Sequence, residues 1–393
     1  VAHEGGDVNL ALAVAWYRYR ASFRRRLSSY LSVMLLVALV GGLALASLAG
    51  ARRTDSSFAV YLASTHPSTA ALFSRYDDPQ LGMNTGYNAA LQKKIAHLPL
   101  VVRSATAIIF DANIDKSSIK GVHDHLGPGE EPPAFLGSLN GEFSSVDRVT
   151  LLEGKRPSPS SRDEAMMNAQ AAREYGLHIG SVIDIPLYTD VAINSPKNFP
   201  PFLIAKVTMV GEFEASRDVI ESDISALGSS AIIFSQGLTR ELAPKCSTGT
   251  ETFLIIKGGD VNATRVLKEV GQFDPIAQHF PAEITSSFLP VAQQSISPEA
   301  IALGIFGAVT ALATVLIAGL MIGRLLRVGA DELDTIRALG ASRAMMLLDG
   351  LLGVLGAVVV GSLFAVVEAV LLSPIAPLGS VRHVYPDRGI AFD

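Results

Sequence analysis

The sequence predicts an α-helical membrane protein, with three transmembrane helices and one large α/β domain outside the membrane. Three observations lead there. The mean hydropathy of the 393 residues is positive, at +0.35. The apolar residues are concentrated in three long runs rather than spread along the chain. Between the first run and the second lie nearly 250 residues in which short apolar stretches alternate with polar, Gly- and Pro-containing ones.

Leu27 to Gly50 and Ala300 to Gly323 each run 24 residues without a charge. At about 1.5 Å of rise per residue, each makes a helix of roughly 36 Å, enough to cross a hydrocarbon core of about 30 Å. The third run, Ala344 to Leu372, holds two acids, Asp349 and Glu368. The first run exceeds the 7–15 apolar residues of a signal peptide and follows a substantial N-terminal segment, so an uncleaved anchor is expected. Arg18, Arg20, Arg24, Arg25 and Arg26 precede it and only Arg52 and Arg53 follow it, which by the positive-inside rule places the N-terminus in the cytoplasm. The expected order is a basic cytoplasmic segment (1–26), a span (27–50), an extracytoplasmic domain (51–299), a second span (300–323), a cytoplasmic loop (324–343), a third span (344–372) and an extracytoplasmic tail (373–393). The loop's four arginines, Arg324, Arg327, Arg337 and Arg343, agree with its placement inside.

The external segment reads as mixed α/β. Helices are expected at 86–98, at 163–177 with Gly176 ending it, and at 260–273 with Asp260 as its cap. Strands are expected at 101–110, 181–188, 202–214 and 252–259. Residues 123–141, rich in Gly, Pro and charge, read as an exposed loop or the way into a subdomain. Ser297 and Pro298 suit the cap and first position of a helix leading into the second span. Cys246 is the only cysteine, so no disulfide within the chain can staple this domain and an apolar core must hold it.

Catalytic patterns are lacking. The only Gly-Lys pair, Gly154-Lys155, has Val149 and Arg156 where a phosphate-binding loop needs Gly and Ser or Thr. No zinc-protease, serine-hydrolase or paired-cysteine motif occurs. The chain is expected to be no enzyme and to carry no cofactor, metal or nucleic acid; the net charge of −5 says little about partners. His123 and His125 flank Asp124, a weak metal-site pattern more simply read as a polar loop. Asp349 and Glu368 would be costly in hydrocarbon and are read as interfacial or as helix contacts. Gly350, Gly353 and Gly356 lie close together on one helix face, a pattern that allows close approach of a neighbouring membrane helix.

Between the second and third spans stands DELDTIRALGASR, Asp331 to Arg343. Leu333, Ile336 and Leu339 recur every three residues and make one apolar side, charges fill the rest, and Gly340 ends the helix. Periodicity leaves two readings open: a rod that passes force between a soluble partner and the bilayer, or a helix resting on headgroups.

At these residues the sequence resembles the MacB/FtsX family of ABC-transporter permeases. Arg327, Glu332, Leu333 and the run Ile336-Arg337-Ala338-Leu339-Gly340-Ala341-Ser342 take the places of the family's cytoplasmic motif, with Ala330 and Asp331 where basic residues are common. A second match is LLEGKRP (151–157) with the helix, Leu-His-Ile-Gly turn and strands that follow it, where Lys155 and Ser181 stand for the usual arginine and aspartate. The resemblance implies a permease subunit in a bacterial cell membrane that works with a dimer of cytoplasmic ABC ATPase subunits. It implies a homodimer or a pseudo-dimer with a second permease half, contact with membrane lipids, and ATPase activity only in the partner. Glu332 and Arg337 would then be polar contacts to the ATPase, Ile336 and Leu339 apolar anchors, and Gly340 the elbow. The family's units have four spans, so the chain is expected to be the first part of a longer permease. Two functions stay open: export or extraction of a lipid, lipoprotein, peptide or drug, and an FtsX-like regulator that activates a cell-wall hydrolase without transport.

Overall fold

The computed structural model describes residues 4–76, 86–112, 114, 133–188, 200–216, 218–219, 230–274, 277, 282–328 and 343–390, with the side chains of 4–19, 21–26, 75–76, 326, 328 and 343–350 left out. Contacts divide the chain into two units. One comprises Val1–Ser57, Ile296–Arg382 and Asp387–Asp393, the other Phe58–Ser295 and His383–Pro386.

The first unit is helical. Among the described residues it holds most of α1 (Glu4–Ser64) and α6 (Phe288–Val328) and all of α7 (Arg343–Leu372), helices of 61, 41 and 30 residues. All three are long and apolar enough to cross a membrane, and this is a membrane protein. Their burial is inverted relative to a soluble bundle. Leu31, Leu35 and Leu39 of α1, Val309, Leu316 and Leu320 of α6, and Leu355 and Leu363 of α7 all point outward and are exposed. Hydrocarbon solvates such a surface and water would not. Inward, Tyr30 and Val33 pack on Val354 and Ala357, with Met321 and Ile322 against them. The helix holding the second span starts at Phe288 rather than at a Ser297 cap, and Pro298 lies inside it. Ser297-Pro298 is therefore no start signal here; the preceding 3-10 turn Thr285–Ser287 leads into the helix instead.

The second unit is a ten-stranded mixed sheet in the order β10-β1-β9-β2-β3-β8-β5-β7-β4, with β6 also on β7. The strands are β1 (Ala70–Tyr76), β2 (Val101–Phe110), β3 (Ala134–Ser138), β4 (Thr150–Gly154), β5 (Glu164–Asn168), β6 (Val182–Leu187), β7 (Leu203–Glu214), β8 (Ala231–Phe234), β9 (Ser247–Ile256) and β10 (Glu283–Ile284). The pairs β3–β8 and β5–β7 are parallel and the others antiparallel. Among the described residues, short helices accompany them at α2 (Ala89–Ala96), α3 (Ala169–Tyr175), α4 (Gln236–Cys246) and α5 (Asp260–Gly271).

Both faces of the central strands are covered, so these strands read as continuous apolar runs. Phe135, Met167, Ile232 and Phe234 face one core, together with Leu238, Leu242 and Cys246 of α4. Their strand neighbours Leu136, Met166 and Ile233 face another, closed by Phe143, Val146 and Val149. A third core joins α2 and α5 to β1 and β9 through Leu91, Ile95, Val266 and Val270.

Three expectations are corrected here. Residues 134–138, placed within a loop, form β3, whose Phe135, Leu136 and Gly137 are buried. The helix expected over 163–177 is a strand, β5, followed by only seven residues of α3. Ala165, Met166 and Met167 are buried and paired to β7 and β8, and Gly176 does end the helix in the left-handed conformation. Asn168 joins the two elements, its Oδ1 accepting from Ala171 N at 2.9 Å as the cap and from Ala231 N at 2.9 Å. Asp260 is not a cap: Gly259 holds that position without a side-chain bond, and Asp260 lies in the first turn.

Candidate functional site

Of the residues singled out in the sequence, Glu332, Ile336, Arg337, Leu339 and Gly340 lie outside the described residues, as do His123 and His125. Gly350, Gly353 and Gly356 all fall in α7. A Cβ on Gly353 would run into the phenol of Tyr30, with Tyr30 Cε1 at 2.8 Å and Cζ and Oη closer still. At Gly356 the same atom would meet nothing within 4 Å among the described residues.

The close approaches continue at glycines that the sequence did not single out. At Gly361 a Cβ would stand 2.9 Å from Met34 O and 3.0 Å from Val37 Cβ. At Gly307 of α6 it would stand 2.9 Å from Leu48 Cγ. At Gly42 it would stand 2.5 Å from Glu368 Oε2. Glu368 is thus a helix contact: its side chain lies on the bare backbone of α1, where only a glycine leaves room. Absence of a side chain on both α1 and α7 at these levels is what lets the backbones come together. Glycine in a span was the available signal, but it does not say which glycines face a neighbour.

At the other end of the α1 span, Arg53 donates to the carbonyl oxygens of Ser373 at 3.2 Å and Gly389 at 3.5 Å, and also to that of Asp387. Thr54 Oγ1 accepts from Leu378 N at 3.1 Å. The sequence showed these residues only as the polar flank of a span; in the fold they fasten the segment after α7 to α1. Beside them is a mostly apolar cavity of about 560 Å³, lined by residues such as Leu43, Leu48, Phe306, Val370 and Ile375 and by Arg52 and Arg53.

In the second unit the LLEGKRP stretch forms β4 and the turn after it. Gly154 has φ +77° and pairs with Gly211 of β7. A Cβ on Gly154 would stand 3.0 Å from Gly211 Cα and collide with Val210 O, and one on Gly211 would collide with Lys155 O. Lys155 Nζ meets Glu164 Oε1 at 2.9 Å, and Ser158 N donates to Glu164 Oε2 at 2.7 Å. Those two bonds, the backbone one first, hold the Glu164 carboxyl below its ordinary range. Arg156 donates to Phe143 O at 2.9 Å and Val149 O at 2.7 Å, closing the loop over the second core. Burial, and then the charge of Arg148, pull its proton affinity down. The motif therefore acts as a structural clasp. No group of three or more His, Cys, Asp or Glu suited to a metal occurs among the described residues.

No family model matches the sequence, and no curated protein matches it significantly. Among solved structures, the extracellular domain of the noncanonic ABC-type transporter YknZ from Gram-positive bacteria aligns at 8% identity and TM-score 0.32, over 56% of this chain and 99% of that one. The periplasmic region of MacB from Actinobacillus actinomycetemcomitans aligns at 8% identity and TM-score 0.33, over 58% and 94%. A domain of a putative permease protein from Porphyromonas gingivalis aligns at 11% identity and TM-score 0.29, over 52% and 82%.

Proposed function

We propose that the chain is the transmembrane subunit of a MacB/FtsX-like ABC transporter in a bacterial cell membrane, with its N-terminus in the cytoplasm. A separate dimer of ATPase subunits hydrolyses ATP, and the permease converts that into movement of its extracytoplasmic sheet domain. The observation that carries this reading is the motif of Arg327, Glu332 and Ile336 to Ser342 between two spans. The helix lengths support it. At about 1.5 Å per residue, the 61 residues of α1 make a rod of roughly 90 Å and the 41 of α6 one of roughly 60 Å, both longer than a bilayer is thick. A stiff rod that outruns the membrane can carry displacement from one side to the other.

In this reading Glu332 and Arg337 form the polar contacts to the ATPase, Ile336 and Leu339 its apolar anchors, and Gly340 the elbow into α7. Of Gly350, Gly353 and Gly356, it is Gly353 that carries the helix-packing seam of α7, against Tyr30 of α1. The permease pairs with a second copy or with a second permease half, and work is done on a lipid, lipoprotein, peptide or drug outside the membrane. Co-purification of the chain with its ATPase tests this. Arg337→Glu and Leu339→Asp are expected to abolish stimulation of ATP hydrolysis while leaving the permease folded; intact binding and stimulation in both variants would sink the assignment.

A further inference from the structure

The second unit carries a groove of about 410 Å³ that neither the sequence nor the proposed mechanism accounts for. Helix α2 contributes Gln92 and Lys93 to its lining, and α4 contributes Arg240, Ala243 and Pro244. Its floor holds Ser104 and Thr106 of β2 and Asn140 from the turn after β3. No Asp or Glu is among the described lining residues.

The floor is already tied together. Gln92 is buried, its Nε2 donating to Ser74 Oγ at 2.6 Å while its Oε1 accepts from Thr252 Oγ1 at 2.9 Å and Thr106 Oγ1 at 3.4 Å. Asn140 Oδ1 accepts from Thr106 N at 2.7 Å. A ligand would therefore meet a fixed polar surface and not one that must first be ordered. Among the described residues, these two cations have neither the ring nor the carboxylate partner that their neighbours have. Lys94 sits over the Phe273 ring at 3.9 Å, and Lys245 is paired with Glu241. Lys93 and Arg240 have no carboxylate within salt-bridge distance among the described residues. Arg240 is lightly held by Leu139 O at 3.4 Å, which leaves most of its five donors available.

We propose that this groove binds an oxyanion, the carboxylate or phosphate of a small solute, between Lys93 and Arg240. Two cations lining one groove, with no acid among its described lining residues, favour an anionic group held by both, and the guanidinium fork suits carboxylate and phosphate alike. The ligand's polar remainder would lie on the hydroxyl and amide floor.

The test uses the full chain in detergent micelles with inorganic phosphate and succinate as probes, followed by phosphorus line broadening and by proton saturation transfer. At least one probe is expected to bind, and Lys93→Glu or Arg240→Glu is expected to weaken it about tenfold or more, the scale of one lost charge-assisted contact. Lys257→Glu, on an exposed cation outside the groove, is expected to leave binding unchanged. Binding of phosphate alone or succinate alone would identify the source of the oxyanion. Should a charge reversal perturb the circular dichroism spectrum, Lys93→Gln and Arg240→Gln take its place. The proposal is overturned if neither probe binds, if the groove substitutions change nothing, or if Lys257→Glu weakens binding as much as they do.

Discussion

Tyr30 of α1 lays its phenol on the backbone of α7 at Gly353, so close that a single methyl group at that position would overlap the ring. Tyr30 is itself 8% exposed and packs with Val33, Val354 and Ala357. The aromatic ring and the missing side chain form one contact, and each requires the other.

Replacing Gly353 with leucine should therefore force α1 and α7 apart. Overpacking of this kind costs about 1–3 kcal/mol. A thermal melt of the full chain in detergent is expected to show a lower midpoint for Gly353→Leu, while Gly356→Leu, where a Cβ meets open space, stays near the wild type. Equal effects at the two positions would contradict the contact.

Gly154 and Gly211 make a second test, in the sheet domain. At Gly154 the left-handed φ of +77° and the crowding by Val210 O both disfavour a side chain. Gly154→Ala is expected to cost about 2 kcal/mol or more, the sum of backbone strain of about 1 kcal/mol and displacement of β7. Chemical denaturation followed by far-ultraviolet circular dichroism reads this out, and an unchanged midpoint would contradict the close pairing of β4 with β7.

Glu164 gives a prediction with a pH dependence. Its carboxyl is held below the ordinary range by Ser158 N and then by Lys155, so the charged form is favoured by folding. That contribution is fully present above the unfolded value, about 4.3, and is lost as pH falls through the lower folded value. Lys155 is 66% exposed, which limits the ion pair, and Glu164→Gln is expected to lower stability by roughly 1 kcal/mol at pH 7. The gap between wild type and variant should close as the melt is repeated below about pH 4. A gap that is constant from pH 7 to pH 3 would mean the carboxylate charge plays no part.

Much of this architecture is local in origin and could be read from the sequence. A 24-residue stretch without a charge has few fates, so the first two spans follow from composition alone, and the third from the 18 charge-free residues between Asp349 and Glu368. The alternating runs that became β2, β6 and β7 declared themselves for a similar reason: their side-chain period is a property of the strand. Gly176 sits where a helix must end, and the left-handed backbone there is one that glycine adopts without penalty.

Other features depend on partners far away in the chain. Glu164 to Asn168 has the composition of a helix, and only the edges offered by β7 and β8 make it a strand. Ala134 to Ser138 stands among loop-forming residues, yet β2 on one side and β8 on the other take it into the sheet. The glycines of α7 look alike in sequence, while the path of α1 presses on Gly353 and Gly361 and leaves Gly356 open. The groove between Lys93 and Arg240 joins residues 147 positions apart, and no spacing could announce it. Hydropathy and period are set by neighbours along the chain, so the sequence by itself determined the spans and the kind of domain they carry. Strand partners, helix contacts and the meeting of two cations are set by neighbours in space, and those only the tertiary structure decided.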